Sequence, residues 1–325
     1  MESLLSVRNL KKYFNTKDGE LHAVDGVSFD ISAGSTLGVV GESGCGKSTM
    51  GRVILHLLPR TAGQIFFEGK DISDINAAEL HELRRQMQII FQDPFSSIDP
   101  RMSVKELIGE PLHIYKLVSS KDEYNKKVKE MMDIVGLASR LEDSYPHELD
   151  GGRRQRIGIG RALILNPKFI VCDEPVSALD VSIQAQILNL MQDLQRERDL
   201  TYIFITHNLS VVKHISDHIL VMYLGCAVEK ASSDELFKHQ YHPYTKALIS
   251  AIPRIDLDKK VKRILLRGEI TSPINPPDAC RFAPRCNYAC DQCHACTPAL
   301  QEVTPGHFVA CLLYTSPSPR DPKTS

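Results

Sequence analysis

The segment at 41–49, Gly-Glu-Ser-Gly-Cys-Gly-Lys-Ser-Thr, constrains this chain more than any other feature of its sequence. It follows the apolar run at 37–40 and precedes residues whose apolar positions recur at helical spacing. A strand, a glycine-rich turn and a helix start predict a phosphate-binding loop (P-loop), in which backbone N–H groups and the helix dipole face the phosphates. Lys47 would reach the β- and γ-phosphates, and the Ser48 hydroxyl would ligate Mg²⁺. The residues predicted to contact the nucleotide are Gly41, Ser43, Gly44, Cys45, Gly46, Lys47, Ser48 and Thr49.

The composition shows no strong preference for a charged partner. The chain has 39 Lys and Arg against 40 Asp and Glu, a net charge of -1, which argues against nucleic acid or an anionic membrane surface. No apolar run approaches the roughly 18 residues of a spanning helix. The first residues also lack the pattern of a secretion signal. We therefore expect a cytosolic chain.

Short strands alternate with helices along most of the chain. Residues 93–155 are the exception, because they carry helical patterns and no convincing strand, and we interpret them as a helical insertion. Elsewhere the alternation predicts an α/β fold with a mostly parallel sheet covered on both faces. Apolar runs predict strands at 37–40, 64–69, 87–91, 169–172, 202–206 and 219–224.

Several predicted strands end in polar residues that could act on a bound triphosphate. The strand at 169–172 is followed by Asp173, which would hold Mg²⁺ through its water shell, and by Glu174, which could polarise the attacking water. His207 and Gln92 each follow another predicted strand. Because ligands bind at the carboxyl ends of parallel strands, we expect these side chains near the γ-phosphate. The amide of Gln92 could touch both Mg²⁺ and the attacking water.

Residues 4 to about 250 resemble the ATP-binding cassette (ABC) ATPases. The resemblance implies a P-loop NTPase (RecA-like) core with an antiparallel β subdomain and an inserted helical subdomain at about 93–155. It also implies a head-to-tail dimer, with ATP between one subunit's P-loop and the other's Asp150, Gly151 and Gly152. The matching motifs, in order, are 41–49, Gln92, the Leu-Asp-Gly-Gly-Arg-Arg-Gln-Arg segment at 149–156, Asp173 with Glu174, the Ser-Ala-Leu-Asp segment at 177–180 and His207.

The resemblance alone implies roles for two further residues. Tyr13 matches the aromatic residue that stacks on adenine in the family, although Phe14 is an alternative, and so is a plain core role. Asp180 matches the loop that crosses the dimer interface. Glu174, His207 and Gln92 would be the catalytic residues of such an enzyme.

Finer matches resemble the ATPases of oligopeptide/dipeptide importers, and within them the second of two paired, non-identical ATPases. They include the segment at 92–97 and the Arg-Met-Ser-Val segment at 101–104. The resemblance implies that the chain hydrolyses ATP to drive two permease subunits, served by an extracytoplasmic solute-binding protein. The chain would lie on the cytoplasmic face of the plasma (inner) membrane. The helical insertion would then carry the groove for the permease's coupling helix, beside Gln92.

Two other functions stay open. A soluble ABC protein of translation or DNA repair is one, but such chains usually hold two cassettes or a long coiled coil, and the spacing from Gln92 to Asp150 is short. A non-hydrolysing regulatory subunit is the other. It is suggested by Asp150, which stands where the family pattern Leu-Ser-Gly-Gly-Gln has a serine. An ionised carboxylate only accepts hydrogen bonds and would be repelled by a phosphate. We therefore expect the ATP sandwich completed by this segment to be weakened, unless the residue reflects a sequencing error.

Six of the nine cysteines crowd the C-terminal region. Cys280, Cys286, Cys293 and Cys311 match the cysteine pattern of the same importer subfamily, some members of which carry a [4Fe–4S] cluster. Four thiolates suit iron–sulfur or zinc. A ferredoxin-like run at 290–296, zinc binding with His294 and unmetallated cysteines are the alternatives.

The sequence divides into an ABC ATPase domain at 1–250, an importer-type C-terminal module at 251–311 and a tail at 312–325. Proline, cysteine and short charged runs predict that the module consists of loops. The tail resembles translated sequencing-adapter DNA, and its serine and proline content predicts disorder.

Overall fold

The computed structural model describes residues 3–93, 98–252, 263–268 and 272–315. Part of the predicted importer motif, 94–97, and the tail from 316 lie outside the described residues. In chain order the strands are β1 (Ser3–Thr16), β2 (Gly19–Ser32), β3 (Thr36–Val40), β4 (Ala62–Phe67), β5 (Lys70–Asp71), β6 (Met87–Ile90), β7 (Phe169–Asp173), β8 (Thr201–Ile205), β9 (His218–Tyr223), β10 (Cys226–Ser232), β11 (Gln301–Thr304) and β12 (His307–Val309). The helices are α1 (Lys47–Ile54), α2 (Ala77–Gln86), α3 (Val104–Ile114), α4 (Lys121–Ile134), α5 (Gly151–Leu163), α6 (Val181–Arg198), α7 (Leu209–Ile215), α8 (Ser233–Lys238), α9 (Pro243–Ser250), α10 (Asp291–Ala295) and α11 (Leu312–Thr315).

A mixed sheet in the order β11-β12-β10-β9-β3-β8-β7-β6 forms the centre of the molecule. The strands from β9 to β6 run parallel, as the alternation predicted. Side chains alternate between two cores along each central strand. In β8, for example, Tyr202 and Phe204 pack into one core, while Ile203 and Ile205 pack into the other. The sheet is therefore covered on both faces, and the carboxyl ends of its parallel strands share one edge.

A second, antiparallel sheet in the order β2-β1-β4-β5 packs over the helix that follows the P-loop. Val7 and Phe29 of this sheet share a core with Met50 and Val53 of α1. This sheet is the antiparallel β subdomain that the family resemblance implied.

The described part of the insertion at 93–155 contains helices α3 and α4, the start of α5 and no strand. The first turn of α3 is closed by a capping box between Ser103 and Glu106. Helix α5 begins at Gly151, so the Leu-Asp-Gly-Gly segment leads directly into a helix.

The prediction that the C-terminal module consists of loops was wrong. Its strand β12 pairs with β10, with Val309 opposite Glu229, and β11 pairs with β12, so the module extends the central sheet. A sheet edge leaves unpaired N–H and C=O groups, and β12 supplies partners to the edge of β10. The module also reaches β2, where the N–H of His22 donates to the carbonyl of Pro273 over 3.0 Å.

Disorder was likewise predicted for the whole tail, but Leu312–Thr315 form a helical turn, α11. Tyr314 of this turn packs edge-on against the ring of Tyr241, with 5.3 Å between the centroids, and its hydroxyl accepts a hydrogen bond from Lys246. An aromatic side chain that can pack against the body of the protein outweighs the local composition here.

Candidate nucleotide site

The P-loop lies between the buried strand β3 and helix α1. The Nζ atom of Lys47 donates hydrogen bonds to the carbonyl oxygens of Gly41, over 2.8 Å, and Glu42, over 2.9 Å. These bonds hold the ammonium group of Lys47 inside the loop, where the predicted phosphates would lie.

Glycine is required in this loop by close backbone contacts as well as by dihedral angles. Gly46 has a φ of 99°, and a Cβ atom at this position would overlap with the carbonyl oxygen of Ala23. A Cβ atom on Gly41 would likewise overlap with the carbonyl oxygen of Met222. Gly44 has a φ of 78° but open space around it, so only its backbone conformation favours glycine.

Ser48 and Asp173 meet at the base of the loop. The Ser48 hydroxyl donates to Oδ1 of Asp173 over 2.6 Å, and Arg52 lies 3.7 Å from the other carboxylate oxygen. Burial raises the pKa of Asp173, while the hydrogen bond from Ser48 opposes that shift. A hydroxyl and a carboxylate in contact are hard oxygen ligands of the kind that Mg²⁺ takes from proteins, with water and phosphate supplying the others.

Three side chains predicted to be catalytic meet at one carboxylate. The Nε2 atom of Gln92 donates to Oε2 of Glu174 over 3.2 Å, and Nδ1 of His207 lies 3.1 Å from the same oxygen. Glu174 follows β7 directly and has a φ of 48°. The parallel strands thus bring Gln92, Glu174 and His207 together, although they are far apart in the sequence.

Asp150 is the N-cap residue of α5. Its Oδ1 atom accepts a hydrogen bond from the N–H of Arg153 over 2.8 Å, and its Oδ2 atom lies 3.4 Å from Nε of Arg153. A Cβ atom on Gly152 would approach Ile183 to 2.7 Å, so this glycine lets α5 approach the start of α6 closely. Among the described residues, no hydrogen bond joins the segment 150–152 to this chain's own P-loop.

Asp180 is the N-cap residue of α6. It is exposed and makes no side-chain capping bond. The next residue, Val181, is 83% exposed. The start of α6 is therefore a surface available to a partner.

Tyr13 has partners that sequence reasoning missed. Its ring stacks on His22 with 3.9 Å between centroids, and its hydroxyl donates to Asp25 over 2.5 Å. Burial, followed by this hydrogen bond, raises the pKa of Tyr13. Asp25 is linked to the P-loop through Gly225, whose carbonyl accepts from Asp25 N–H and whose N–H donates to Cys45. The spacing of His22 and Asp25 on β2 carried no recognisable signal.

The C-terminal cysteines gather around one cavity. Cys280, Cys286, Cys293 and Cys311 line a cavity of about 370 Å³, together with Cys290, whose sulfur lies 3.6 Å from that of Cys293. Within the described residues, however, no three His, Cys, Asp or Glu side chains are arranged to hold a metal ion. The described thiols therefore line one cavity but are not placed as ligands of a single metal ion.

No helix in the described parts of the chain is both long and apolar enough to cross a membrane.

Sequence comparisons identify the family. The model of the family described as ABC transporter matches residues 24–177, and that of the oligopeptide/dipeptide transporter C-terminal region matches residues 228–293. The oligopeptide transport ATP-binding protein OppF of Salmonella typhimurium is 52% identical over 320 residues, covering 95% of this chain and 96% of that protein. The chain belongs to the ABC transporter family. The oligopeptide transport ATP-binding protein AppF of Bacillus subtilis is another member, 50% identical over 97% of this chain and 98% of its own length.

Solved structures of ABC proteins share the fold. A dimeric ATP-binding cassette in a post-hydrolysis state with ADP and Pi has a TM-score of 0.65 and 28% identity, over 70% of this chain and 98% of that one. The ABC protein cbiO1 of Clostridium perfringens, described as part of the transporter complex cbiONQ, also has a TM-score of 0.65 and 28% identity, over 74% and 92% of the two chains. The P-loop, the acids that end β7 and the family together make this chain an ABC ATPase.

Proposed function

We propose that this chain is the ATP-hydrolysing subunit of an ABC importer for peptides, which energises transport through separate permease subunits. The observation that carries the proposal is the oligopeptide/dipeptide transporter region at 228–293 on the same chain as the nucleotide site. Relatives named as oligopeptide transport ATP-binding proteins, 50% and 52% identical over nearly the whole chain, support it.

In this proposal Glu174 is the general base that accepts a proton from the attacking water. Gln92 and His207 support the role, because both contact Oε2 of Glu174 and so fix the carboxylate. His207 would also contact the γ-phosphate, and Lys47 would exchange its bonds to the loop carbonyls for bonds to the phosphates. The remaining P-loop residues would surround the phosphates with backbone N–H groups, and Tyr13 would stack on adenine.

Mg²⁺ bound with ATP would be held by Ser48 and Asp173, with Gln92 as a further contact, and would neutralise charge on the phosphates. The hydrogen bond between Ser48 and Asp173 supports the assignment, since it places both oxygen ligands at one point.

The site is expected to be completed by a second ABC ATPase subunit. Asp150, Gly151 and Gly152 would face the partner's triphosphate and Asp180 would lie at the interface, which is consistent with their separation from this chain's own P-loop. Because Asp150 carries a negative charge, a partner that is not identical to this chain leaves one competent site, whereas a homodimer has two weakened sites.

A groove beside Gln92 is suited to a permease segment. A cavity of about 270 Å³ lies between β6 and the helical insertion, and Leu57, Phe91 and Ile114, which are 43%, 37% and 54% exposed, line it. Exposed apolar side chains around one cavity favour an apolar partner such as a helix of a permease. The complex would comprise two permease subunits, an extracytoplasmic solute-binding protein and no nucleic acid, with this chain peripheral to the cytoplasmic face of the plasma membrane.

The groove has its own test. An Ile114→Asp variant should fail to co-purify with the permease subunits, because the carboxylate would have to lose its water at the contact. A Leu265→Asp variant changes an apolar residue that is 82% exposed and lies outside the groove, and it should co-purify normally with them. Co-purification of Ile114→Asp at the parent level would contradict the assignment.

The proposed function is tested with the assembled transporter in vesicles. ATP-dependent uptake of peptides is the expected result, and it should disappear in Glu174→Gln while binding of Mg·ATP remains. Uptake that continues without a Glu174 carboxylate would support the regulatory-subunit alternative, in which the partner hydrolyses ATP. A chain that binds ATP but assembles with no permease would support the soluble ABC class.

The thiols stand apart from this proposal, because they share a cavity without forming a ligand shell. Iron and acid-labile sulfide in anaerobically prepared protein test the [4Fe–4S] expectation. Stoichiometric iron and sulfide that disappear in Cys286→Ser would support a cluster, zinc would support the other metal, and the absence of both metals would support free thiols.

A further inference from the structure

Glu42 carries an acidic side chain on the loop that must hold a triphosphate. Its carbonyl oxygen accepts a hydrogen bond from Lys47, so its backbone is part of the phosphate cradle. Its side chain is 24% exposed. An uncompensated carboxylate at this position would repel the phosphates and would compete for Lys47.

The compensating charge comes from the C-terminal module, 243 residues away. Arg285 donates from Nη1 to Oε2 of Glu42 over 2.7 Å and from Nη2 to Oε1 over 3.2 Å. This two-bond geometry matches the planar guanidinium to the carboxylate. The Arg285 side chain is 8% exposed and that of Glu42 is 24% exposed, so solvent screens the pair only in part. The hydrogen bonds with Glu42 raise the pKa of Arg285.

The backbone of Glu42 is held from the same side. Its N–H donates to the hydroxyl of Tyr244 over 2.8 Å, and Tyr244 is fully buried in α9. The Tyr244 ring packs against Tyr223 and Phe282, with centroids 4.8 Å and 5.6 Å away. Phe282 and Arg285 belong to the same short stretch of the module, so one aromatic cluster positions both groups that contact Glu42.

The module contacts the other end of the nucleotide site as well. Arg281 donates to Oδ2 of Asp25, and Asp25 accepts the hydroxyl proton of Tyr13 through its other oxygen. Arg281 also donates to the carbonyl of Leu224, just after β9. Arginines four positions apart thus contact Glu42 in the P-loop and Asp25, the hydrogen-bond partner of the aromatic residue predicted to stack on adenine.

We propose that Arg285 is a positioning residue for ATP, which neutralises Glu42 and, together with Tyr244, holds the P-loop open for the phosphates. The C-terminal module is then part of the nucleotide site and not only an attachment to the cassette. The proposal concerns the ATPase site and does not depend on which solute is transported.

The decisive experiment measures the dissociation constant for Mg·ATP in the full chain, with Glu174→Gln present throughout to prevent turnover. Arg285→Gln should weaken ATP binding by about threefold to tenfold, because it exposes the Glu42 charge in a partly screened site. Adding Glu42→Gln to Arg285→Gln should restore binding to within about twofold of the parent, since the repelling charge is gone. Arg285→Lys keeps the positive charge but not the planar guanidinium that pairs with both carboxylate oxygens. Its affinity for Mg·ATP should lie between those of the parent and Arg285→Gln.

A purely structural role for Arg285 gives a different pattern. In that case Arg285→Gln lowers the thermal midpoint and Glu42→Gln does not restore ATP binding, which would overturn the proposal. Parent-level affinity in Arg285→Gln would overturn it too. If Arg285→Gln does not fold, Glu42→Gln alone decides: retained affinity supports the proposal, and a loss contradicts it. Arg196→Gln, which breaks an exposed ion pair with Asp193 on α6, is the control and should leave ATP binding unchanged.

Discussion

At the scale of single residues, the geometry around Glu174 is built to fix one carboxylate oxygen. A φ of 48° is uncommon for glutamate, and the backbone there is held by a bond from Glu174 N–H to the carbonyl of Ile205 over 2.9 Å. Gln92 and His207 then contact the same Oε2 atom. A strained backbone conformation of this kind persists only where surrounding contacts hold it in place, and such conformations are concentrated at active sites.

Because Gln92 and His207 act on one oxygen, their effects on turnover should not add. We expect His207→Ala to lower kcat by about a hundredfold, within the range for a positioned proton-transfer group. Gln92→Ala should lower it by about tenfold, and the double variant should fall little below His207→Ala. Steady-state phosphate release by the assembled complex measures these values. Strictly additive losses would show that the two side chains act on different groups.

Asp150 combines a structural and an electrostatic effect, and two substitutions separate them. Serine also caps helices, so Asp150→Ser should keep the cap of α5 and remove the charge, whereas Asp150→Ala should lose the cap and about 1 kcal/mol of stability. If repulsion of the partner's phosphate limits turnover, Asp150→Ser raises the ATPase rate of the complex several-fold. Unchanged turnover in Asp150→Ser would refute the repulsion, whatever the unfolding curves show.

At the scale of elements, α9 begins at a histidine that the fold keeps neutral. His242 is 1% exposed, and its Nδ1 atom accepts the N–H of Tyr244 over 3.2 Å as the N-cap. Burial lowers the pKa of His242 from 6.5 to about 3. Below about pH 6.5 the unfolded chain therefore binds a proton that the folded protein excludes, so the free energy of unfolding falls as the pH falls.

This acid sensitivity should be reduced in a variant with a non-titrating cap. His242→Asn replaces the Nδ1 acceptor with an amide oxygen that does not titrate. Between about pH 6 and 4.5 its stability should fall less steeply than that of the parent, by up to about 1.4 kcal/mol per pH unit. Urea titrations across this range measure the slopes. His239→Asn, which changes a largely exposed histidine, is the control. Parallel slopes for His242→Asn and the parent would contradict the prediction.

The elements around the P-loop could be predicted from the sequence because their signals are local. Apolar runs of four or five residues in β3, β7 and β8, each followed by polar residues, predicted both the strands and the edge where Glu174 and His207 meet. Strand β12 and the pair of Glu42 with Arg285 could not be predicted. Their partners are separated by tens to hundreds of residues, and no periodicity within a segment records such pairing.

At the scale of the whole molecule, the central sheet and the C-terminal module share one buried polar junction. Glu229 of β10 is fully buried and accepts hydrogen bonds from the backbone N–H groups of Tyr241, over 2.7 Å, and His242, over 3.1 Å. The Nε2 atom of His307, in β12, lies 2.8 Å from the same carboxylate and is fully buried as well. One side chain therefore joins the sheet, the start of α9 and the last strand pair.

Removing the acceptor atoms of Glu229 should loosen the module before the cassette unfolds. In Glu229→Gln an amide NH₂ group would face a backbone N–H or the His307 ring, and one buried donor would be left unpaired, at a cost of about 2 to 4 kcal/mol. Because the module also carries Arg285 and Arg281, ATP should restore part of this loss by favouring the docked state. Limited proteolysis with and without Mg·ATP measures both effects. Glu197→Gln, on the exposed side of α6, is the control and should show neither effect. If Glu229→Gln resists protease as well as the parent does, the junction does not hold the module in place.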